Sequence, residues 1–449
     1  MIVIQTSSKT VSSLLGNQAY REDSVYRLSH YVLQQPVKAG VLLFHTLTRC
    51  MVLITPDEMA NILTNQQLIS QWFVVPDSID EQQMCKQVRN IAKSMRPTSS
   101  AHTDSYIILT TTECNARCHY CFERGVTRTS MTAETAHATA RYMIDRYDGK
   151  ELDIEWFGGE PLYNVEVIDI ICTELEQAGV RFHSNMVSNG YLFDPSLIER
   201  ARKLWRLRDV QITLDGKHEI YNRVKRYIYP DVDAYKRVTN NISMLIEAGI
   251  YVAIRLNIDE HNIAHMCELL DEIAVRFPDR KHVGIGVQPI LRYTPEGDGT
   301  FSKDEPSRDR LLQSIDRFID HAIKMGYCKP EALPHTPKLY WCMADSGGAL
   351  TILPQGKISR CKENFEHLIG SVYEDQFDEA MIARYQELMP DMPECSTCVF
   401  YPNCIRPKLC RDTRICYPSR RDSFVRDLQR SMKYAYWKYK NKEKENQTT

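Results

Sequence analysis

The segment SYIILTTTECNARCHYC, residues 105–121, joins a strand pattern to three closely spaced cysteines. Its first residues are mainly aliphatic, aromatic and β-branched, which predicts a buried strand. Cys114, Cys118 and Cys121 follow at the carboxyl end of that strand, where α/β folds place active sites. Three thiolates so close together can bind three irons of a cubane cluster and leave the fourth iron open. A zinc site is one alternative, although His119 is badly spaced to be its fourth ligand, and a chance cluster of thiols is the other.

Strand and helix patterns alternate downstream of this segment. The predicted strands are 105–112, 152–157, 181–188, 210–214, 251–258 and 282–290, and the predicted helices lie near 133–147, 165–177, 195–204, 234–247 and 263–277. Such alternation is typical of βαβ units on a parallel sheet. These strands fit either an open doubly wound sheet or an incomplete barrel, and the pattern alone leaves both open.

The rest of the chain divides into segments around the alternating region, residues 105–300. Residues 1–100 hold short strand patterns and then helix patterns, and residues 301–326 indicate a linker and a bridging helix. Residues 327–420 show only short strand or helix patterns and are rich in Cys, Pro and Gly. A segment of this composition buries little apolar surface and is usually stabilised by bound metal. Residues 421–449 are predicted to form a C-terminal helix and tail, whose polar and basic end at 433–449 is expected to be a solvated, fraying helix.

The composition excludes several classes of protein. The 449 residues contain 56 Lys and Arg against 58 Asp and Glu, so no nucleic-acid partner is expected. No apolar run approaches the ~18 residues of a membrane span, and we predict no membrane association and no secretion signal. The 15 cysteines are an unusually high number in a chain that is not a short secreted scaffold, which favours metal or redox chemistry in a reduced, cytoplasmic location.

A second group of cysteines occupies the C-terminal segment. Its members are Cys342, Cys361, Cys395, Cys398, Cys404, Cys410 and Cys416. They are enough for four ligands to one cluster and three to another, but zinc ribbons also use Cys-x2-Cys, so this group by itself fits either metal. Five further cysteines are isolated in the sequence and are expected to be buried and inert: Cys50, Cys85, Cys172, Cys267 and Cys328. Among these, Cys328 is the candidate for an extra cluster ligand.

Together, the two groups of cysteines resemble those of a known family. Cys-x3-Cys-x2-Cys after a strand, with Tyr120 before the third cysteine, resembles the radical S-adenosylmethionine (SAM) enzymes. The second group resembles their SPASM extension, which carries two auxiliary [4Fe–4S] clusters. The resemblance covers residues 105–420 and implies a partial (β/α)6 TIM-type barrel with a Cys-rich C-terminal SPASM domain. Residues 1–100 resemble a leader-peptide recognition domain, which implies a small, winged-helix-like α+β fold.

The resemblance also implies a set of binding residues. Gly158-Gly159-Glu160-Pro161 matches the family's GGEP segment, where glycines let the backbone approach the methionyl amine of SAM. Lys225 stands where many relatives carry Arg, so it keeps a charge but loses the bidentate fork. The implied SAM-site residues are Tyr120, Gly158, Gly159, Glu160, Ser188, Asn189, Thr213, Asp215, Lys225, Asn257 and Gln288. The first candidates for a catalytic acid or base are Asp215 and Glu363, and Glu296 and Asp298 are further candidates.

The cluster ligands follow from the same resemblance. Cys114, Cys118 and Cys121 are assigned to the SAM-binding cluster. The first auxiliary cluster is assigned Cys342, Cys361 and Cys410, and the second is assigned Cys395, Cys398, Cys404 and Cys416. The chain departs from the family pattern because five residues, instead of three, separate Cys404 from Cys410, and because the gap to Cys416 is short. The first auxiliary cluster would therefore keep an open site unless Cys328 or another group completes it.

The implied activity is that of a radical SAM oxidoreductase that modifies peptides. With three [4Fe–4S] clusters and SAM, a 5′-deoxyadenosyl radical would abstract a hydrogen atom from a ribosomally made precursor peptide and install a C–S or C–C cross-link. The implied partners are the precursor peptide with its leader sequence and a one-electron donor such as flavodoxin or ferredoxin. One alternative is an anaerobic sulfatase maturase that forms formylglycine, although Lys362 follows Cys361 where such relatives carry an acidic residue. Another is a non-catalytic scaffold that binds zinc or peptides.

Overall fold

A computed structural model describes most of the chain, in two compact units. The described residues are 1–22, 24–95, 103–121, 123, 125–229, 233–290, 305–411, 413, 416 and 418–448. The first unit consists of Met1–Thr98, Pro330–Trp341 and Leu388–Thr449. The second consists of Ser99–Lys329 and Cys342–Glu387. The Cys-rich segment at 327–420 is therefore divided between the two units.

The strands and helices follow one another along the whole chain. The strands are β1 (Ile2–Gln5), β2 (Tyr26–Leu28), β3 (Val32–Val37), β4 (Gly40–His45), β5 (Met51–Ile54), β6 (Val74–Pro76), β7 (Ser105–Thr111), β8 (Leu152–Gly158), β9 (Phe182–Ser188), β10 (Leu207–Thr213), β11 (Tyr251–Ile258), β12 (Val283–Pro289), β13 (Leu350–Ile352), β14 (Lys357–Ser359) and β15 (Leu368–Ser371). The α-helices are α1 (Lys9–Leu15), α2 (Pro56–Ala60), α3 (Gln66–Ser70), α4 (Glu81–Ser94), α5 (Ala133–Asp145), α6 (Val165–Gln177), α7 (Pro195–Lys203), α8 (His218–Lys225), α9 (Ala234–Glu247), α10 (Met266–Arg276), α11 (Glu305–Lys324), α12 (Met343–Ser346), α13 (Glu379–Tyr385) and α14 (Pro418–Thr448). Short 3-10 helices lie at Ile62–Thr64, Pro161–Asn164, Ile263–His265, Pro393–Thr397 and Tyr401–Asn403. Among the described residues, no helix is both long and apolar enough to cross a lipid bilayer.

The second unit is built on a sheet whose six predicted strands are confirmed. From β7 to β12 the strands are parallel and lie side by side in chain order. A doubly wound sheet would need a point where the strand order reverses, and the order from β7 to β12 has none. The order of β7 to β12 is therefore not that of a doubly wound sheet, and closure into a partial barrel stays a prediction.

The burial pattern separates the two faces of this sheet. In β8, Leu152, Ile154 and Trp156 are buried, whereas Asp153 and Glu155 alternate with them and are partly exposed. The same alternation continues in β9 and β10. Since successive side chains of a strand point to opposite faces, one face is apolar and the other polar.

Three short strands from the C-terminal part of the chain extend the same sheet. β13 pairs in parallel with β7 through Leu350 and Tyr106, and β14 and β15 continue the sheet in antiparallel order. Leu353 packs with Ile107 and Phe157 in one apolar cluster. Within the described residues, the sheet of the second unit thus has nine strands, and β13 to β15 were not predicted from the sequence.

The first unit contains a four-stranded antiparallel sheet in the order β1-β5-β4-β3. One apolar cluster, around Val52, Leu68 and Phe73, includes residues of α3 and of the two-stranded sheet β2-β6. The resemblance of residues 1–100 to a winged-helix-like leader-recognition domain stays a prediction. The C-terminal helix is α14, and Met432, which directly precedes the segment expected to be solvated, is fully buried. Its helix contributes to a second cluster with Leu33, Leu42, Phe44, Met51, Leu53 and Leu333.

A buried histidine makes the stability of the first unit depend on pH. Burial lowers the pKa of His45 to about 4 from its ordinary value of 6.5. Its Nδ1 accepts from the backbone amides of Leu47 and Thr48, at 3.2 and 3.3 Å, so the ring is neutral in the folded unit. Between pH 4 and 6.5 the unfolded chain binds the extra proton, and unfolding is favoured as the pH falls.

We expect the free energy of unfolding of the first unit to fall by about 3 kcal/mol as the pH drops from 6.5 to 4. His45→Gln is expected to flatten this slope in urea titrations at several pH values. His30→Gln is the control, because His30 is exposed and should leave the slope unchanged. An equal slope for wild type and His45→Gln would contradict the assignment.

Candidate cysteine-lined active site

The three cysteines of the first group lie in the loop that leaves β7. Cys114 and Cys118 are partly buried and Cys121 is exposed. Burial raises the pKa of the Cys114 thiol to about 12, and Glu160, Cys118 and Cys121 add to the effect. The three thiols therefore share one electrostatic environment. Within the described residues, no three Cys, His, Asp or Glu side chains converge as the ligands of a single metal ion do.

The loop after β8 packs closely on the loop that carries these cysteines. Gly158 has φ +124°, and a Cβ there would lie 2.1 Å from the carbonyl oxygen of Thr111. A Cβ on Gly159 would lie 2.3 Å from the carbonyl oxygen of Glu113. The amides of Gly159 and Glu160 donate to these two carbonyls at 3.0 and 2.9 Å. Both glycines are therefore required for the contact between the two loops, whatever ligand the loops bind.

Glu160 links the loop after β8 to the end of β9 through hydrogen bonds. Its side chain is fully buried, and Oε1 accepts from Ser188 Oγ at 2.9 Å and from the amide of Leu162 at 3.2 Å. Its Oε2 accepts from the amide of Asn189 at 2.8 Å. Burial raises the pKa of Glu160 to about 7, while these donors work against the rise. A carboxylate offers about four acceptor sites, so one remains for a ligand donor.

Asn189 links the end of β9 to the cysteine loop. Its Nδ2 lies 2.6 Å from Asn115 Oδ1 and 3.8 Å from the Sγ atom of Cys114. Tyr227 OH donates to the carbonyl of Asn189 at 3.3 Å. The Nδ2 of Asn115 is buried and has no hydrogen-bond partner among the described residues.

A triad of the buried Asp215 and Lys225 with the partly buried Tyr120 forms the other wall. Tyr120 OH donates to Asp215 Oδ2 at 2.6 Å, and Lys225 Nζ lies 2.9 Å from both that oxygen and the Tyr120 hydroxyl. Burial alone would lower the pKa of Lys225, but the Asp215 charge and Tyr120 raise it above its ordinary value. Lys225 is therefore charged and held by these two groups. Asp215 Oδ1 is buried and lacks a partner in the described part of the chain.

The remaining predicted SAM-site residues lie at the ends of β10, β11 and β12. Asn262 Nδ2 donates to the carbonyls of Asp215 and Asn257 at 3.0 and 2.8 Å, which joins Asn257 to the triad. Thr213 is the last residue of β10 and is partly buried. Gln288 in β12 is exposed, and its Nε2 contacts the carbonyl of Pro289.

The candidates for a catalytic acid or base are in different surroundings. Asp215 belongs to the triad, whereas Glu363 is exposed. Glu296 and Asp298 lie outside the described residues.

A cleft opens beside the cysteine loop. It encloses about 440 Å³ and is lined by Arg117, Cys118, Arg226, Tyr227 and Ile228. Three of these residues follow α8, a helix that the sequence analysis did not predict. Asn115, Tyr227 and Asn262 were also missed, because single polar residues in loops carry no periodic signal.

The C-terminal cysteines are distributed over both units. Cys342 and Cys361 are in the second unit, and the other five are in the first. Burial raises the pKa of Cys404 to about 11, and the nearby thiols of Cys416 and Cys398 also raise it. Burial also raises the pKa of Cys398, with Cys416 and Cys395 contributing. Four thiols of the first unit are thus close enough to influence one another, and they are the four assigned to the second auxiliary cluster.

Cys328 has a different environment in the second unit. Its Sγ donates to the carbonyl of Ile285 in β12 at 3.0 Å, and burial raises the pKa of this thiol to about 11. A protonated thiol bonded to a strand carbonyl is typical of a packing cysteine. Its role as an extra cluster ligand stays a prediction.

Comparisons with known proteins agree with this arrangement. Residues 108–273 match the model of the Radical SAM superfamily. Over 281 residues the chain is 23% identical to the radical SAM cyclopropyl synthase TigE of Paramaledivibacter caminithermalis. That alignment covers 57% of this chain and 56% of TigE, so the chain spans about half the length of this relative.

Solved structures with a similar fold extend the comparison to most of the chain. The structure of hexahistidine-tagged anSMEcpe with bound AdoMet gives a TM-score of 0.55 at 15% identity, over 75% of this chain and 99% of that one. Streptococcus suis SuiB gives 0.52 at 14% identity over 84% and 94% of the two chains. SuiB bound to the precursor peptide SuiA gives 0.50 at 14% identity over 85% and 94%. At such identities the likeness shows the fold alone, and the match to the Radical SAM superfamily covers residues 108–273.

Proposed function

We propose that this protein is a radical SAM enzyme that modifies a ribosomally made precursor peptide. The observation that carries the proposal is the meeting of the three-cysteine loop with two buried polar networks at the carboxyl ends of parallel strands. One network contains Glu160 and Asn189, and the other contains Asp215 and Lys225. The match of residues 108–273 to the Radical SAM superfamily supports the same activity.

The polar groups beside the cysteines fit a [4Fe–4S] cluster and SAM. Cys114, Cys118 and Cys121 would hold three irons, and the fourth iron would be free for the amino and carboxylate groups of SAM. The unpartnered Oδ1 of Asp215 can accept from a hydroxyl or amino group, and the unpartnered Nδ2 of Asn115 can donate to an acceptor. Burying such groups without partners costs free energy, which a ligand at this place would recover.

The protein itself would position and shield the reacting groups. When bound, the cluster and SAM supply the power to abstract a hydrogen atom from an unactivated carbon. Lys225 holds the Tyr120 hydroxyl and the Asp215 carboxylate in fixed positions, and Glu160 holds the loop after β8. Low exposure of these groups excludes water from the reacting centre.

A peptide substrate is supported by the relatives and by the sheet. SuiB has been solved with a precursor peptide bound, and TigE is described as a cyclopropyl synthase. The polar face of the sheet, which includes Asp153 and Glu155, is suited to the polar backbone of a peptide. Residues 1–100 would recognise the leader sequence, and two auxiliary clusters in a SPASM domain would accept the surplus electron. A flavodoxin or ferredoxin would supply the reducing electron.

Anaerobic reconstitution tests the proposal. The reduced protein should bind about twelve irons per chain, absorb near ~400 nm and convert SAM to 5′-deoxyadenosine. Cys118→Ala should abolish that conversion, whereas Cys267→Ala, at an exposed position outside the motif, should preserve it. A short peptide encoded beside the gene should lose two mass units through a C–S or C–C cross-link. Colourless protein that holds zinc would instead support a non-catalytic scaffold.

Formylglycine formation is less well supported than cross-linking. The residue after Cys361 is Lys362, and its Nζ forms an ion pair with Glu155 Oε1 at 2.7 Å. An ammonium held in this way cannot serve as the acidic residue that the sulfatase maturases carry there.

A further inference from the structure

The loop that carries Cys398 and Cys404 is held by residues near the start of the chain. Thr46 Oγ1 donates to the carbonyl of Val399 at 2.6 Å. Arg89, on α4, donates through Nη1 to the carbonyl of Tyr401 at 3.3 Å and through Nη2 to that of Cys404 at 3.1 Å. All of these groups belong to the first unit.

Arg89 is well placed to act through its charge as well as its hydrogen bonds. It is only 9% exposed, and its guanidinium lies 5.6 Å from the centre of the Tyr401 ring. Because its Nη2 lies 3.1 Å from the carbonyl oxygen of Cys404, its charge is close to one of the assigned ligands. At low exposure, solvent screens such a charge only weakly.

A second arginine reaches the same loop from the turn between β4 and β5. Arg49 is fully buried, and its Nη2 donates to Asn403 Oδ1. Its φ of +70° is unfavourable for a residue with a side chain, and such strain is often found at functional sites. Its Nε and Nη1, and the Nδ2 of Asn403, lack acceptors within the described residues. These orphaned donors are the sign of an absent acceptor at this place.

The charges around the two guanidiniums are unbalanced. Among the described residues, no carboxylate forms an ion pair with Arg49 or Arg89. Asp391, whose pKa the Arg89 charge also lowers, accepts from Lys86 Nζ and from Tyr401 OH, both at 2.9 Å. Two buried cations in one place favour a buried anion, and a cluster bound by four thiolates is an anion.

We propose that Arg89, with Arg49, positions the ligand loop of the second auxiliary cluster and raises the reduction potential of that cluster. The inference rests on the proposed function, because it needs the cluster assigned to Cys395, Cys398, Cys404 and Cys416. Arg89 holds the loop through two carbonyls, and its positive charge stabilises the reduced, more negative cluster. The N-terminal part of the chain thus takes part in electron transfer besides any role in binding a peptide.

The test compares three variants of the full-length, anaerobically reconstituted protein. Arg89→Met removes the charge and both hydrogen bonds. Arg89→Lys keeps the charge but lacks the paired donors that bind the carbonyls of Tyr401 and Cys404. Lys86→Met is the matched control, since Lys86 is one turn earlier on α4 and pairs with Asp391 at the surface. Cluster potentials are read by titration followed by electron paramagnetic resonance, and loop stability by hydrogen exchange of the amides at 398–404.

Each variant has a distinct expected result. In Arg89→Met, one cluster potential should become more negative, the other two should stay unchanged, and the loop amides should exchange at least tenfold faster. Arg89→Lys should show the faster exchange with most of the wild-type potential, and Lys86→Met should keep both wild-type properties. Unchanged potentials in an Arg89→Met protein that still holds three clusters would overturn this inference alone. A wild-type protein with no auxiliary cluster would overturn it together with the SPASM assignment, and iron analysis distinguishes the two results.

Discussion

A chain that ends before Pro418 is expected to lose the folded first unit. The missing helix α14 supplies Met432, which is fully buried, together with Val425 and Leu428. Its removal would expose the face of the sheet that carries Leu42 and Phe44. Uncovering each large apolar side chain costs about 1.5–3 kcal/mol, so the total approaches the roughly 5–15 kcal/mol that stabilises a typical domain.

A point substitution makes the same test without shortening the chain. Met432→Asp should destabilise the first unit by about 4 kcal/mol or more, because it removes apolar packing and buries a charge. Trp437→Asp is the control, since Trp437 lies on the same helix with 57% of its surface exposed. Calorimetry should resolve two transitions in the wild type and a shift of only one in Met432→Asp. Equal stability of the two variants would exclude a packing role for this helix.

Lys225→Met is expected to destabilise the second unit by about 3–5 kcal/mol. The substitution leaves the fully buried carboxylate of Asp215 without its ammonium partner, which lies 2.9 Å away. The cost comes mainly from that unpaired charge, so adding Asp215→Asn to the Lys225→Met protein should recover part of the stability. Urea unfolding of the two single variants and the double variant measures the coupling between the two residues.

Lys217→Met provides the control for this measurement. Lys217 is 41% exposed and lies 3.5 Å from Glu268, and ion pairs at the surface contribute about 1 kcal/mol or less. If Lys225→Met and Lys217→Met destabilised the protein equally, the triad would not be the buried network that we describe. Lys225→Met should also slow SAM cleavage, because Tyr120 would lose the group that orients it.

The sequence predicted the elements that carry a strong periodic signal. The strand predicted at 251–258 is β11, and Asp194 caps α7 as its position before Pro195 indicates. The helix α8 was missed because its eight residues hold too few apolar repeats for a clear helical signal. The strands β13 to β15 were missed because three or four residues among cysteines and turns hold too few alternations. The role of α14 was missed because only a narrow apolar stripe marks a strongly polar helix.

Only part of the candidate site could likewise be predicted from the sequence. The three cysteines and the Gly158-Gly159-Glu160 segment could be recognised because several required residues stand at fixed spacing. The contacts of Lys225 could not be predicted, since Tyr120 is over a hundred residues away from it in sequence. The reason for Gly158 and Gly159 also needed coordinates, because it depends on the distance to two carbonyls of another loop.

The last parallel strand of the large sheet has a consequence for handling the protein in air. At the outer edge of β12, the amide of Ile285 donates to the carbonyl of Tyr327 at 3.1 Å, and the thiol of Cys328 donates to the carbonyl of Ile285. These two bonds occupy backbone groups that would otherwise recruit a strand from a neighbouring molecule. Burial raises the pKa of this thiol to about 11, and a protonated, partly buried thiol is a poor target for oxidation. Exposure to oxygen is therefore not expected to promote self-association at this edge.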